Sequence, residues 1–416
     1  MMQLHNKKYY SWVVVALLWV VALLNYMDRQ MLSTMKVSMM HDIGELQTAE
    51  NFGRLLAIFL WIYALMSPVA GLIADRTNRK WLIIASLFVW SAITFLMGFA
   101  ENFDQLYILR GLMGVSEALY IPAGLSLIAD YHQGQTRSLA VGLHMTGLYT
   151  GQALGGFGAT IATNYSWQNT FQFFGLIGVV YSFILMLFLI DFKDNKQAIN
   201  ENKAHVMSGL NSIRNSLGLL LGTVSFWVIL FYFAVPSFPG WAIKNWIPTL
   251  FSESLKIDMS VAGPLSTISI AVSSFIGVLI GGSMADKWIL KDLKGRIYTG
   301  VIGLTLTIPA LLFLGLGDNL ISVVAGAVLF GVGFGMFDAN NMPILCQFIG
   351  PKHRAAGYGI MNMTGVLAGA FVTNLLGKST DSGHLGRDLA YLALPVAVAA
   401  FLLLFSLKPK TANMLN

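Results

Sequence analysis

Charged residues are scarce in this chain. Asp, Glu, Lys and Arg make up 11% of its 416 residues, whereas hydrophobic residues make up 56%, and the mean hydropathy is +0.66. Because soluble globular proteins carry about 25% charged residues, this composition excludes an ordinary water-soluble domain. Apolar side chains in this proportion need lipid to face, so we expect a polytopic membrane protein.

Cysteine is almost absent. The single Cys346 excludes an internal disulfide framework and a cysteine-rich metal site, and we expect neither a metal nor a cofactor. The first apolar run, 12–24, follows Lys7 and Lys8 as in a signal peptide. It continues into Asn-Tyr-Met-Asp-Arg without a small-residue cleavage site, which predicts an uncleaved first span.

Motifs of membrane-embedded enzymes are also missing. The chain has no H-E-x-x-H, no G-x-S-x-G and no phosphate-binding loop, which argues against a protease, a hydrolase and a nucleotide-driven pump. An intramembrane aspartyl protease needs G-x-G-D, and Asp338 stands at the wrong distance from Gly335. We therefore expect a protein that is not an enzyme, with a membrane-embedded enzyme as the disfavoured alternative.

Apolar stretches long enough to cross a bilayer recur about twelve times. The longest polar segment, from Asp191 to about Ser216, divides them into two sets of six. We expect an all-α membrane protein of twelve transmembrane helices in two pseudo-symmetric bundles, 1–191 and 219–416, joined by a cytoplasmic linker, 192–218. The predicted spans are 11–36, 51–73, 81–100, 104–128, 138–161, 168–190, 219–251, 261–284, 298–316, 320–345, 355–377 and 388–407.

The basic residues are distributed unevenly between the predicted loops. The net charge of +6 and the pI near 9.2 could suggest a nucleic-acid partner. However, all but eight of the 26 Lys and Arg residues fall on the side of the N-terminus, and the other loops carry mainly acids. This positive-inside pattern predicts a multi-pass protein of the plasma (bacterial inner) membrane with both termini in the cytoplasm. We expect no nucleic-acid partner.

A short motif repeats in the two halves. Gly-Leu-Ile-Ala-Asp-Arg at 71–76 follows the second span, and Gly-Ser-Met-Ala-Asp-Lys at 282–287 follows the eighth. The decapeptide 71–80 resembles the loop signature of the major facilitator superfamily, and the resemblance extends over the whole chain in span count, loop charge and central linker. It implies alternating access between two bundles, with gating residues Gly71, Asp75, Arg76, Arg79 and Asp286.

A few charged residues lie inside predicted spans, where each costs roughly 2.5–3.5 kcal/mol or more. Arg110 and Glu117 are seven residues apart, which places them on one helix face about 10 Å apart along the axis. Two arginines with a carboxylate nearby are typical of an organic-anion site, because guanidinium groups bind carboxylates bidentately. The alternative is that these charges neutralise one another as structural pairs. The full set is Asp28, Arg29, Arg110, Glu117, Lys244 and Asp338.

Two stretches resemble the anion:cation symporter family, which includes bacterial sugar-acid transporters and sialin. They are Asn-Tyr-Met-Asp-Arg at 25–29 and the Arg-Gly-x-x-Gly-x-x-Glu-Ala pattern at 110–118. The resemblance implies that Asp28 and Glu117 carry protons and that Arg29 and Arg110 attract or gate the organic anion. The expected substrate-binding residues are Arg29, Arg110, Tyr26, Gln152, Lys244 and Asn362. Spinster-type lipid carriers share the D-R and R-x6-E elements. Residues 75–80 of this chain resemble the corresponding loop of those carriers more than that of the anion:cation symporters.

The prediction is therefore a proton-coupled symporter of a small organic anion such as a sugar acid. A facilitator or exporter of a lipid or amphipathic solute is the alternative. The expected partners are the anion, protons and the lipid bilayer, and we expect a monomer. The identity of the anion and the roles of Lys244 and Asp338 stay open at this point.

Overall fold

A computed structural model describes residues 7–132, 136–191, 218–349 and 353–406, without the side chains at positions 7, 8, 75, 76, 138, 355 and 406. Every regular element in the described ranges is helical. Apart from a short 3-10 turn at Gly44–Gln47, the helices are α1 Lys7–Thr34, α2 Lys36–Asp42, α3 Ala49–Arg76, α4 Arg79–Met97, α5 Phe103–Ala118, α6 Tyr120–Tyr131, α7 Arg137–Gly155, α8 Gly158–Tyr165, α9 Trp167–Phe188, α10 Val224–Leu255, α11 Met259–Ile289, α12 Gly295–Leu316, α13 Leu320–Asp338, α14 Asn341–Phe348, α15 Arg354–Asp381, α16 Leu385–Tyr391 and α17 Ala393–Ser406.

Eleven helical segments of the described chain are long and apolar enough to cross a membrane. The predicted fifth span, 138–161, is not among them. It corresponds to α7 and α8, which are separated at Gly156 and Phe157. The all-α membrane fold of two six-helix bundles is confirmed, with α1–α9 in the N-terminal bundle and α10–α17 in the C-terminal bundle. Most of the predicted linker lies outside the described residues, so its boundaries stay a prediction.

Two spans are broken at equivalent places. Proline lacks an N–H, and its ring clashes with the carbonyl group four residues earlier. Pro122 therefore weakens the helix at Ala118, where α5 ends, and Pro343 has the same effect at Ala339, just after α13. The predicted fourth span is consequently α5 followed by α6, and the tenth is α13 followed by α14.

The two bundles touch mainly along α3 with α15 and α7 with α11. We call the end of the molecule that holds Lys80 and Lys291 the basic end, and the other the opposite end. At the opposite end the Asp381 carboxylate accepts hydrogen bonds from the backbone N–H groups of Ala49 and Glu50 at 2.7 and 2.8 Å. These bonds link the C-terminal bundle to the first turn of α3, where a carboxylate also suits the helix dipole.

Two glycines of α3 show how the contact changes along its length. Gly53 and Gly71 are eighteen residues apart, which is five turns, so they lie on one helix face. A methyl group at Gly53 would lie 3.1 Å from the Thr373 carbonyl oxygen and 3.2 Å from the Gly377 Cα, both in α15. At Gly71 it would meet no described atom within 4 Å. The described part of the C-terminal bundle therefore approaches α3 closely at Gly53 but not at Gly71, although Asn362 still contacts Ser67, one turn before Gly71, at 3.0 Å.

Candidate functional site

Glu117 is the centre of a buried charge cluster in the N-terminal bundle. Its side chain is fully buried, and its Oε2 accepts hydrogen bonds from Arg29 Nε at 2.6 Å and from Asn25 Nδ2 at 2.9 Å. The first span and the fourth are thus joined by a charge-assisted bond, which is stronger than a neutral one. Glu117 reaches this position because it lies one residue before the end of α5, beside the break caused by Pro122.

Aromatic rings surround the other partner of the pair. The Arg29 guanidinium carbon lies 5.1 Å from the centre of the Tyr26 ring and 4.8 Å from the rings of Phe59 and Tyr63. Only 11% of the Arg29 side chain is exposed. Cation–π contacts are strongest when the cation is removed from water, so the rings hold Arg29 in place while it contacts Glu117.

Arg110 lies on the same helix as Glu117 but forms no ion pair with it within 4.0 Å. It is 2% exposed, its guanidinium carbon lies 4.7 Å from the Phe59 ring centre, and its Nη1 donates to the Met113 sulfur at 3.0 Å. Seven residues along one helix separate Arg110 from Glu117 by about 10 Å, whereas Arg29 approaches from the neighbouring helix. In this conformation Arg110 is buried within the N-terminal bundle.

Asp28 is the second buried carboxylate of the cluster. It is 3% exposed, and its Oδ2 accepts a long hydrogen bond from Thr94 Oγ1 at 3.4 Å. Its other oxygen has no hydrogen-bond partner among the described residues. The cluster therefore holds two carboxylates, of which Glu117 has an arginine in contact and Asp28 has none within 4.0 Å.

Charges of the C-terminal bundle face the space between the bundles instead. Lys244 in α10 is partly exposed, and its Nζ lies 4.9 Å from the Trp241 ring centre and 6.0 Å from those of Tyr26 and Phe334. Tyr26 belongs to the other bundle, so Lys244 lies where the two bundles meet. Among the described residues, no carboxylate oxygen lies within 4.0 Å of its Nζ.

Asp338 ends α13 on the same side of the bundle. It is exposed, and its Oδ1 accepts a hydrogen bond from Asn341 Nδ2 at 3.1 Å. It interacts electrostatically with Lys244 and with Tyr149, which comes from the N-terminal bundle. Asp338 is therefore accessible to solvent and lies within electrostatic range of a residue from each bundle.

The remaining predicted substrate residues lie close to the bundle interface. The Asn362 amide of α15 donates to Ser67 Oγ of α3 at 3.0 Å, which is a contact between bundles. Gln152 is 5% exposed, and Tyr26 is partly exposed between Arg29 and Lys244. Their roles in binding stay predictions.

The predicted gating residues are only partly described. Arg79 forms an ion pair with Asp130 inside the N-terminal bundle. Asp286 lies 3.6 Å from Arg296 inside the C-terminal bundle, so neither pair joins the two bundles. A Cβ atom added at Gly71 would have no atom of the described residues within 4 Å. The side chains of Asp75 and Arg76 lie outside the described residues.

Sequence reasoning missed the correspondence between the two spans that carry a carboxylate beside a break. Glu117 precedes Pro122 by five positions, and Asp338 precedes Pro343 by five positions. Each proline follows a carboxylate in the fourth span of its bundle. This spacing was readable in the sequence and would have identified Asp338 as the counterpart of Glu117.

Comparisons with known proteins agree with this architecture. The chain is 24% identical over 389 residues to the chloroplastic ascorbate transporter of Arabidopsis thaliana, covering 89% of this chain and 70% of that protein. It is 25% identical over 397 residues to the D-galactonate transporter of Escherichia coli O6:H1, covering 84% and 90%.

Solved structures show the same fold. A bacterial homolog of the human lysosomal transporter Spinster, in an inward-facing and occupied conformation, superimposes with a TM-score of 0.78 at 17% sequence identity, covering 95% of this chain and 97% of that one. The family model described as Major Facilitator Superfamily matches residues 18–373. The chain is therefore a multi-pass membrane transporter that belongs to the Major Facilitator Superfamily.

Proposed function

We propose that the protein is a proton-coupled symporter of a small organic anion, of the size and chemistry of a sugar acid. The observation that carries the proposal is the buried cluster of Asp28, Arg29, Arg110 and Glu117 beside the space between the bundles. Charges at this depth are costly unless they have a function. The D-galactonate and ascorbate transporters among the relatives support an organic acid as the substrate.

Proton coupling follows from the competition for Arg29. While Glu117 is ionised, Arg29 is held at 2.6 Å and its charge is neutralised. Protonation of Glu117 removes the negative charge and weakens that bond, so the cation becomes available to an anion. Asp28 is the partner carboxylate, because a buried carboxylate without an ion-pair partner loses its energetic cost when it takes up a proton.

Lys244 is the residue that meets the anion first. Arg29 is engaged by Glu117 and Arg110 is buried, whereas Lys244 is partly exposed between the bundles and has no carboxylate in contact among the described residues. Three aromatic rings lie within 6.0 Å of its Nζ, and a hydrogen bond from this ammonium group to a carboxylate is charge-assisted and stronger than a neutral one. A substrate carboxylate would bind there.

Alternating access follows from the junction between the bundles. In the proposed topology the basic end is cytoplasmic, and the contacts of Asp381 close the external side. The structure is then an inward-facing state. Opening to the outside requires the bonds from Ala49 and Glu50 to Asp381 to break while the region of Gly71 closes.

Transport by the purified full-length protein in liposomes tests the proposal. Labelled D-galactonate should accumulate above its external concentration when the outside is acidic, and it should only equilibrate when an ionophore collapses the pH gradient. A panel of unlabelled organic acids should compete. Absence of uptake and of competition by every acid tested would refute the anion proposal, and accumulation that ignores the pH gradient would refute proton coupling.

A lipid or amphipathic solute is the second candidate. It is favoured by the fold shared with the Spinster homolog and by the aromatic rings of Trp241, Phe334 and Tyr26 around Lys244. Competition of a single-chain amphipathic lipid with labelled D-galactonate, or its own transport in the absence of any effect of organic acids, would support this candidate instead.

A further inference from the structure

The charges of the C-terminal bundle repeat those of the N-terminal bundle at matching places. Lys244 lies in α10, the first span of its bundle, as Arg29 lies in α1. Asp338 stands five positions before Pro343, as Glu117 stands five positions before Pro122. Each bundle therefore has a cation on its first span and a carboxylate beside the break in its fourth span.

The two pairs differ in geometry. Arg29 and Glu117 are in contact at 2.6 Å and buried. Lys244 and Asp338 interact electrostatically but do not come within 4.0 Å of each other, and Asp338 is exposed while Lys244 is partly exposed. The first pair is closed, and the second is open towards the space between the bundles.

An aromatic wall connects the two open charges. The Lys244 Nζ lies 6.0 Å from the centre of the Phe334 ring, and Phe334 precedes Asp338 by four residues, which is one helical turn. Tyr149 of α7 and Tyr358 of α15 lie within electrostatic range of the Asp338 carboxylate. The Phe334 ring thus lies 6.0 Å from the cation and one helical turn from the carboxylate.

We propose that this open pair is a two-ended substrate site that selects monocarboxylates carrying several hydroxyl groups. The proposal rests on the function proposed above and adds the residue that discriminates between classes of carboxylate. Lys244 binds the carboxylate of the substrate, Asp338 accepts hydrogen bonds from hydroxyl groups at its far end, and the Phe334 ring packs against its C–H groups. Asp338 is then a specificity-determining residue that the alternating-access mechanism does not require.

Asp338 rejects two related classes of acid. A substrate with a second carboxylate would bring a negative charge to Asp338, and like charges placed next to each other in a binding site disfavour binding. An alkyl carboxylate would remove water from Asp338 without offering a donor, which leaves a buried acceptor unsatisfied. Hydroxylated monocarboxylates avoid both costs.

Competition against labelled D-galactonate uptake by the full-length protein in liposomes tests the site. In the wild type, D-gluconate should compete at least tenfold better than either galactarate, which is a hydroxylated dicarboxylate, or hexanoate. Asp338→Asn removes the negative charge but keeps an acceptor, so galactarate should gain about tenfold or more relative to D-gluconate. Asp318→Asn, which changes an exposed loop carboxylate far from the site, should leave the ranking unchanged.

Two results would overturn the inference while leaving the proposed function intact. One is a wild type in which galactarate or hexanoate competes as well as D-gluconate. The other is an Asp338→Asn variant whose gluconate-to-galactarate ratio equals that of the wild type. If the variant fails to fold, the wild-type ranking alone decides. If no organic acid competes in the wild type, the proposed function itself fails.

Discussion

The two bundles carry similar charged residues on corresponding spans, but these residues differ in burial and in whether they contact each other. In the N-terminal bundle, Arg29 and Glu117 are closed on each other and surrounded by aromatic rings. In the C-terminal bundle, Lys244 and Asp338 are separate and face the space between the bundles. The same kinds of side chain on corresponding spans are thus buried in one bundle and available to a solute in the other.

This difference indicates a division of work. A closed, buried pair responds to protonation, because the loss of one charge leaves the other uncompensated and breaking a buried pair costs about 3–5 kcal/mol. An open pair is suited to a ligand that supplies the missing partners. We therefore expect proton coupling to depend on the N-terminal bundle and recognition of the anion to depend on the C-terminal bundle.

The largest effect is expected from Glu117→Gln. Gln resembles the protonated side chain permanently, so substrate should still bind and exchange across the membrane, while accumulation driven by a pH gradient should fall to equilibration. Uptake and counterflow in liposomes measure the two activities separately. Glu101→Gln, on an exposed loop, is the matched control. If Glu117→Gln still concentrates substrate, coupling resides elsewhere and the division between the bundles is wrong.

Lys244→Gln should mainly weaken binding. A charge-assisted hydrogen bond is worth about 1.5–3 kcal/mol, so the half-saturating concentration of D-galactonate should rise roughly ten- to a hundredfold while pH-driven coupling persists. Lys244→Arg should recover most of the affinity because it keeps the charge, and Lys291→Gln, on the exposed surface, should have no effect. A loss of coupling without a change in affinity would reverse the assignment of the two bundles.

Much of this comparison could be predicted from the sequence. The fold was predictable because apolar stretches of span length and the 71–80 motif are local signals. The depth of Asp28, Arg29, Arg110 and Glu117 was predictable for the same reason. The pairing within the cluster was not, because whether Glu117 contacts Arg110 on its own helix or Arg29 on another depends on how α1 packs against α5. The exposure of Asp338 likewise depends on the separation of the bundles.

A smaller effect is expected at the interface that lets the bundles move. A Cβ atom added at Gly71 would meet no described atom within 4 Å, so Gly71→Leu should leave the stability of the fold unchanged while the added side chain hinders closure at the basic end. Transport should slow several-fold with binding retained. Gly53→Leu is the reverse case on the same helix face, because already its Cβ atom would lie 3.1–3.2 Å from the α15 backbone. It should lower the thermal unfolding temperature instead. Equal effects of both changes on stability would contradict the inward-facing interpretation.

The smallest effect is expected at Asp286. A change there tests whether an exposed charge of the C-terminal bundle affects transport as strongly as the interior charges do. Its oxygen lies 3.6 Å from Arg296, but 76% of the Asp286 side chain is exposed, and exposed ion pairs contribute about 0–1 kcal/mol. Asp286→Asn should change the free energy of unfolding by less than about 0.5 kcal/mol. Because the predicted role of Asp286 is gating, the transport rate should nevertheless fall about twofold, in line with a lost contact worth a few tenths of a kcal/mol.

Arg296→Gln and the double variant complete the cycle at this pair. If the pair acts as a unit, the double variant should be no slower than either single variant, because the second change then removes an interaction that is already lost. The transport rate and the thermal unfolding temperature are measured on all three proteins in one lipid. An Asp286→Asn variant that loses substrate selectivity or pH coupling would show that exposed charges at the basic end contribute to coupling and recognition together with Glu117 and Lys244. That result would contradict the contrast between the two bundles.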